Sequence, residues 1–241
     1  MTSRSGVPLL QRLAWNATGW LHAQQRAYQP LAPLAVAAAA AAEASKKVMD
    51  VEKLLGCTPE EVTDIWLKFH SDDTKNMVGS TMTREEHAVF TARAKESPLF
   101  ALPLAKPGGG YLTLVSQCQA PFVLLTTLEE YRRVPQFQAP FVLLTTLGEY
   151  RSKGSTAPAH MAITIYSELV ESKGLALVRG DVVEVANIDA REARLVQELI
   201  RAFYTHDEDY QMVHAFNHAP AKFDFAAVLA KLGHGGDAEK K

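Results

Sequence analysis

Apolar side chains recur along the chain with two different periods, and the change of period divides the sequence into three parts. Between residues 58 and 95 they recur every three or four positions, which is typical of amphipathic helices. Between residues 98 and 185 they form short runs separated by Gly, Pro and Ser, which favours strands. Helical spacing returns after residue 189. This order predicts an α+β fold, with a largely antiparallel central sheet and helices from both ends packed around it.

Helix starts are marked by side chains that can cap the free backbone N–H groups. Thr58 and Glu61, and again Thr83 and Glu86, have the spacing of a capping box, and Asp189 precedes a long amphipathic segment. Trp66 lies on the apolar stripe of the first helix and is interpreted as a core residue. The positions expected to face the core are Val62, Ile65, Trp66 and Phe69, then Val89, Phe90 and Ala94, and finally Ala193, Leu195, Val196, Leu199, Ile200 and Phe203.

The central part predicts strands joined by glycine-containing turns. Residues 98–117, "PLFALPLAKPGGGYLTLVSQ", indicate strand, turn and strand. The glycines are not a phosphate loop, because neither GK[ST] nor a helix follows them. A further strand ends near Tyr166, and Gly174 ends a short helical piece. In "LALVRGDVVEV", Arg179, Gly180 and Asp181 predict a bulge or turn.

One segment occurs twice. In "QAPFVLLTTLEEYRRVPQFQAPFVLLTTLGEYR", residues 119–132 and 138–151 differ only at Glu129 and Gly148, with an offset of 19 positions. Each copy predicts a buried strand followed by a short helical turn. Two units without a third do not make a repeat architecture. We expect the sheet to accept one copy in its native role, and the other copy to be an excursion from the sheet. The near-identity indicates a recent duplication or a mis-joined exon.

Composition and motifs argue against several classes of function. The net charge of −2 gives no basic field for nucleic acid, and no apolar run reaches the roughly 20 residues of a membrane span. The two cysteines, Cys57 and Cys118, lack metal or disulfide spacing. We find no GxSxG or HExxH and predict no catalytic residue, no cofactor and no metal. The acids of "THDEDY" (205–210) are interpreted as capping and solvated groups rather than metal ligands.

The N-terminal region has the composition of an organelle presequence. Residues 1–42 contain three arginines and no acidic residue, and apolar positions recur among them at near-helical spacing. We therefore predict a mitochondrial transit peptide and an Ala/Pro-rich linker over residues 1–45, a single domain over 50–232 and a tail over 233–241. The alternative is an N-terminal tail without a targeting role.

Six segments resemble, in order, the mitochondrial F1-ATPase assembly chaperones that act on the β subunit. They are "LLGCTPEEVTDIWLKFH", "ARAKESPLFALPLAKPGGGYLTLVSQ", "FVLLTTLEEYR", "ITIYSELVESKGLALVRGDV", "EARLVQELIRAFY" and "FNHAPAKFDFAAVLAKL". The resemblance covers residues 50–232. Two features depart from the family pattern: Ile165 replaces a His that is frequent there, and the "FVLLTTL" segment is duplicated.

The resemblance implies a matrix chaperone that is not an enzyme. It would bind the free β subunit of F1-ATPase, shield the apolar surface meant for the α subunit, and be displaced by α; we expect a monomer when free. An apolar surface calls for apolar and aromatic partners. The expected partner-binding residues are Leu128, Tyr131, Leu147, Tyr150, Tyr166 and Leu169, each of which could instead be a core residue.

Two other interpretations remain open. A plastid location would direct the same chaperone activity to chloroplast F1. An enzyme with a cryptic small-molecule site around His206, Asp207 and Asp209 would require a convergent cavity with perturbed acids or bases.

Overall fold

The structure is a computed structural model that describes residues 49–119, 141–154 and 157–233. Its α-helices and strands, in chain order, are α1 (Val51–Leu55), α2 (Pro59–Phe69), β1 (Met77–Thr83), α3 (Arg84–Glu96), β2 (Leu99–Ala105), β3 (Tyr111–Gln119), β4 (Phe141–Thr146), α4 (Leu147–Lys153), β5 (Met161–Tyr166), α5 (Val170–Lys173), β6 (Leu175–Val182), α6 (Ala190–Thr205), α7 (Asp207–His218) and α8 (Phe225–Lys231). Short 3-10 turns cover Asp73–Lys75 and Pro220–Lys222.

The six strands form one curled antiparallel sheet in the order β1-β6-β5-β4-β3-β2. Strands β2 to β6 follow one another as a meander, and β1 pairs with β6 at the far edge. All five strand pairs within the described residues are antiparallel. The predicted α+β class and its central antiparallel sheet are therefore confirmed.

Helices from both ends of the chain pack on the sheet, on opposite faces. On one face Phe100 of β2 contacts Phe203 of α6 and Phe216 of α7, with ring centroids 4.7 and 5.9 Å apart. On the other face α2 buries Val62 and Trp66 near the β1–β6 edge. The side chains alternate between these faces because successive residues of a strand point in opposite directions.

The predicted helix starts are confirmed at the level of single hydrogen bonds. At Thr58, Thr83 and Asp189 the cap side chain accepts from the N–H three residues later, and the acid at that position accepts from the cap N–H. These reciprocal bonds satisfy backbone donors that a helix start leaves free. Local chemistry therefore determines where α2, α3 and α6 begin.

One strand was missed at the sequence level, and one expectation about another strand was wrong. Strand β1 was not anticipated, because its sequence, MVGSTMT, lacks the long apolar run that marks a central strand. It lies at the edge of the sheet, where such a run is not needed. The expected bulge or turn at residues 179–181 is absent, because β6 continues in regular register with β5 through Gly180. The glycine is needed for packing: a Cβ there would lie 2.6 Å from Met161 Cε and 2.9 Å from Val78 Cγ2.

The second copy of the duplicated segment forms β4 and α4. Strand β4 is central, pairing with β3 and β5, and Tyr150 of α4 is buried. The first copy lies outside the described residues beyond Gln119, as do residues 1–45 and residues 234–241. Gln119 and Phe141 are direct register partners. The two described residues that flank this stretch are therefore neighbours in the sheet.

The remaining expectations concern cysteines and membrane spans. Cys57 is half-buried and Cys118 is buried, and both are free thiols. Burial raises the pKa of Cys118 to about 12. Across the helices that the structure describes, none has the length and apolar character needed to cross a bilayer.

Candidate partner-binding surface

The structure places most of the described partner-binding candidates in the interior. Tyr150, Tyr166 and Leu169 are buried, and Leu147 is partly buried against the main core. Burial raises the pKa of Tyr166 to about 12. Leu128 and Tyr131 lie outside the described residues. Binding by these six residues stays a prediction, and the exposed side chains of the free chain are other ones.

Exposed apolar side chains are concentrated near the N-terminal helices. Among the described residues, the large hydrophobic side chains that remain exposed are Leu55, Ile65, Leu67, Phe69, Val89, Val183, Val185 and Leu195. Half of them belong to α1 and α2. Ile65 and Phe69 are 50% and 48% exposed and are four positions apart, so they lie on one side of α2. We call these two residues the α2 patch.

The α2 patch adjoins a firmly anchored helix face. Trp66 Nε1 donates to the backbone oxygen of Val178 at 3.1 Å, and the indole meets the Tyr166 ring edge-on at 5.7 Å. His70 Nδ1 lies 2.8 Å from the Trp66 carbonyl oxygen and donates to it. The Trp66 contacts with Val178 and Tyr166 hold α2 on the sheet, so Ile65 and Phe69 are presented on a rigid element. The sequence expectation that both face the core was wrong; they border the buried stripe.

Charged groups lie beside this helix. Lys75 Nζ lies 5.6 Å from the centre of the Phe69 ring, which fits a cation–π contact. Arg179 and Asp181 form a bidentate ion pair on β6, with Nε 2.9 Å from both carboxylate oxygens. They lie close enough to His70 to influence its pKa, although burial is the larger cause and lowers it. An apolar centre with charged neighbours is the usual composition of a protein interface.

The sheet face on which α2 packs also contains a small cavity. It is lined by Val115, Gln117, Leu143, Thr145 and Tyr150, among others, and has a volume of about 10 Å³. Gln117 Oε1 and Thr145 Oγ1 are buried without a hydrogen-bond partner in the described part of the chain. A cavity of this size suits one water molecule and is too small for a substrate.

The acids of residues 205–210 hold helices together. Asp207 pairs with Arg93 of α3, and Asp209 pairs with Lys231 of α8. His206 Nδ1 lies 3.5 Å from Asp209, but its side chain makes no cap hydrogen bond at the start of α7. The acids therefore lie in the first turn of α7 as expected, and Asp207 remains 88% exposed, but the cap hydrogen bond is absent and two of the acids also pair with other helices. These residues do not line the cavity described above.

One cluster of potential metal ligands was missed at the sequence level. Glu96, His214 and His218 bring their ligand atoms within 4.8 Å of one another. The signal was available, because two histidines four positions apart lie on the same side of a helix. The glutamate comes from another helix, and only the fold brings it there.

The family now follows from a direct comparison. Residues 35–229 match the family model described as ATP11 protein, which is most of the chain and all six strands. The chain belongs to the ATP11 family. Its curated relatives include the mouse and human proteins named ATP synthase mitochondrial F1 complex assembly factor 1. Another is Protein atp11, mitochondrial, from Schizosaccharomyces pombe.

These relatives are distant in sequence and longer than this ATP11-family chain. The mouse protein is 26% identical over 191 residues, which is 78% of this chain and 52% of that protein. The human protein is 25% identical over 191 residues, covering 78% and 51%. The fission yeast protein is 24% identical over 196 residues, covering 79% and 58%. The chain therefore spans about half the length of the curated relatives it matches.

Proposed function

We propose that this ATP11-family chain is an assembly chaperone that binds the unassembled β subunit of F1-ATPase and delivers it to the α subunit. The observation that carries the proposal is the family match over residues 35–229, since relatives across that region are named F1 assembly factors. An unassembled subunit exposes apolar surface that belongs in an interface, and such surface aggregates. A protein that covers it temporarily needs no catalytic step.

The α2 patch is the best-supported contact surface for this partner. Ile65 and Phe69 are apolar, exposed and anchored through Trp66, and charged groups lie nearby. The expected contacts of Leu128 and Tyr131 belong to the same proposal. For delivery, the complex with β must be weaker than the final contact between β and α, so that α displaces the chaperone by mass action.

The site of action that we propose is the mitochondrial matrix. The named relatives are mitochondrial, and residues 1–42 have the composition of a presequence. A fluorescent fusion of residues 1–45 should enter mitochondria, and accumulation in plastids would contradict this location. We further propose that the free protein is monomeric and binds no nucleic acid.

Aggregation of isolated β subunit provides the functional test. The full chain should suppress light scattering of purified β at near-equimolar ratio without ATP, and should precipitate β from matrix extract in preference to α. If β aggregates as fast with the chain as without it, the chaperone proposal is wrong.

A pair of variants tests the surface separately. The double variant Ile65→Glu, Phe69→Glu should weaken capture of β at least tenfold, because it places charge at the centre of an apolar contact. Val89→Glu is the matched control, since Val89 is 37% exposed on α3, which packs with α6 on the sheet face opposite to α2. Equal capture of β by the double variant and the control would show that the α2 patch is not the contact surface. That result would not contradict the proposed chaperone function.

A further inference from the structure

We infer that Glu96, His214 and His218 form a binding site for a divalent transition metal, with zinc as the best fit. Glu96 is the last residue of α3, and the two histidines lie one turn apart near the end of α7. The imidazole ring centroids are 4.5 Å apart, and Glu96 Oε1 lies 3.8 Å from His214 Nε2. The inference is independent of the proposed chaperone function.

The three ligand atoms need only small side-chain adjustments to close around an ion. In a tetrahedral zinc site, ligand atoms about 2.0–2.1 Å from the metal are about 3.3 Å from one another. Here they already lie within 4.8 Å. Glu96 and His218 are exposed and His214 is half-buried, so an ion can enter from solvent and retain a water as fourth ligand.

Neighbouring groups orient the carboxylate. The Tyr210 hydroxyl donates to Glu96 Oε2 at 2.8 Å, which leaves Oε1 directed at His214. Ser97 Oγ lies 2.9 Å from the same hydroxyl and 3.2 Å from His218 Nε2. Partners that hold a ligand from outside the metal shell are a regular feature of zinc sites.

The choice of metal follows from the ligand set. Two imidazoles and one carboxylate suit zinc, cobalt, nickel or copper, whereas magnesium and calcium prefer oxygen ligands alone. Without metal, His218 Nε2 lies 3.1 Å from the backbone oxygen of Glu96 and can donate to it. A metal bound at this nitrogen replaces that proton, so metal binding breaks the hydrogen bond to the Glu96 backbone oxygen.

Arg93, which lies beside Tyr210, is paired with an acid outside the cluster. The Arg93 guanidinium lies over the Tyr210 ring at 4.5 Å and pairs with Asp207. The Glu96 carboxylate is therefore the acid that faces both histidines within this group. With one carboxylate and two neutral imidazoles as ligands, a bound divalent ion keeps a net positive charge and one open coordination position. A water molecule or a chloride ion can fill that position.

Cobalt titration of the full chain, prepared without a polyhistidine tag, tests the site. Co²⁺ in place of zinc should give visible d–d absorption at one equivalent, and Zn²⁺ should abolish it by competition. His214→Gln, His218→Gln and Glu96→Gln should each weaken Co²⁺ binding at least tenfold. His206→Gln is the matched control, because His206 is an exposed histidine next to the start of α7.

The outcomes separate the possibilities. Loss of the absorption in all three variants, with the control unchanged, supports the site. No absorption in the wild-type chain, or equal binding by wild type and all variants, overturns it. Loss in the histidine variants with full binding by Glu96→Gln overturns the three-ligand assignment. Circular dichroism and thermal unfolding of each variant without metal distinguish lost ligands from lost folding.

Discussion

Gly79 is the residue at which β1 passes beneath α2. A Cβ there would lie 2.7 Å from His70 Cγ and 2.8 Å from His70 Cβ. The His70 ring cannot easily move away, because it is hydrogen-bonded to the Trp66 carbonyl and its centroid lies 4.2 Å from that of the tilted indole ring. Close approach of helix and sheet therefore depends on glycine at this position.

We expect Gly79→Ala to lower the free energy of unfolding by about 1–3 kcal/mol, the range for overpacking a filled site. Urea denaturation measures the change. Gly148→Ala is the control, since a Cβ at Gly148 meets nothing within 4 Å, and it should leave stability equal or slightly higher. Equal destabilisation by both substitutions would contradict the packing argument.

Two histidines should make stability depend on pH. Burial lowers the pKa of both His70 and His87, and the Nε2 atom of each is buried without a partner within the described residues. Well above about pH 6.5, the ordinary pKa of histidine, both side chains are neutral in the folded and in the unfolded chain. As the pH falls below that value, the unfolded chain binds protons that the folded chain resists, so stability decreases.

We therefore expect the urea midpoint to fall between pH 7.5 and pH 5.5. In His70→Asn the fall should be smaller, because the amide can still donate to the Trp66 carbonyl but does not titrate. A fall as large in this variant as in the wild-type chain would show that His70 is not responsible. The carboxylates with lowered pKa, such as Glu149, act only at lower pH.

At this scale the sequence could predict which residues are apolar but not how deeply each is buried. Val62 and Trp66 are in the core as expected, whereas Ile65, Phe69 and Leu195 are about half exposed. Helical periodicity places each of them on or beside the apolar side of its own helix, α2 or α6. The width of the covering sheet decides which of them reach solvent, and that width is a property of the whole fold.

Among the elements, those set by local hydrogen bonds were predictable. Thr58, Thr83 and Asp189 start helices through bonds to residues three positions away. Strand β1 and the straight course of β6 were not predictable. Both depend on pairing between residues about 100 positions apart, as in Val78 with Gly180. The metal-ligand cluster was missed for the same reason, because Glu96 reaches the histidines only after folding.

The hairpin of β3 and β4 leads to a prediction about the duplication. Deleting residues 120–138 removes 19 positions and joins Gln119 to Ala139, leaving two residues between the register partners Gln119 and Phe141. Ala and Pro do not adopt the φ > 0 turns usual in two-residue loops, so we expect the Gln119–Phe141 pair to open and give a four-residue loop, a length that also connects antiparallel strands. The deletion restores a single copy of the segment while retaining the copy that forms β4.

We expect the deleted chain to fold and to be more stable by up to about 2 kcal/mol, since a shorter loop costs less entropy to close. Thermal and urea unfolding measure this. The control replaces residues 120–138 with a Gly/Ser linker of equal length, and it should fold without that gain. A deleted chain that is much less stable than the control would contradict the register between β3 and β4.

At the scale of the whole molecule, stability should be distributed unevenly. Helix α6 buries six of its residues against the sheet and neighbouring helices, whereas α1 has no buried residue. Local opening costs least where few apolar contacts are broken. In hydrogen exchange, amides of α6 and of the central strands should therefore exchange slowest and those of α1 fastest. Equal protection of α1 and α6 would contradict this order.

The two thiols differ enough to serve as a built-in chemical handle. Cys118 is buried with its pKa raised to about 12, whereas Cys57 is half-buried at the surface, just before α2. Thiolates are the reactive form, so a maleimide dye at neutral pH should modify Cys57 and spare Cys118 in the folded chain. A fluorophore placed there would lie close to the α2 patch. Its emission or anisotropy would report in real time whether the proposed β-subunit partner arrives and leaves, without any substitution in the chain.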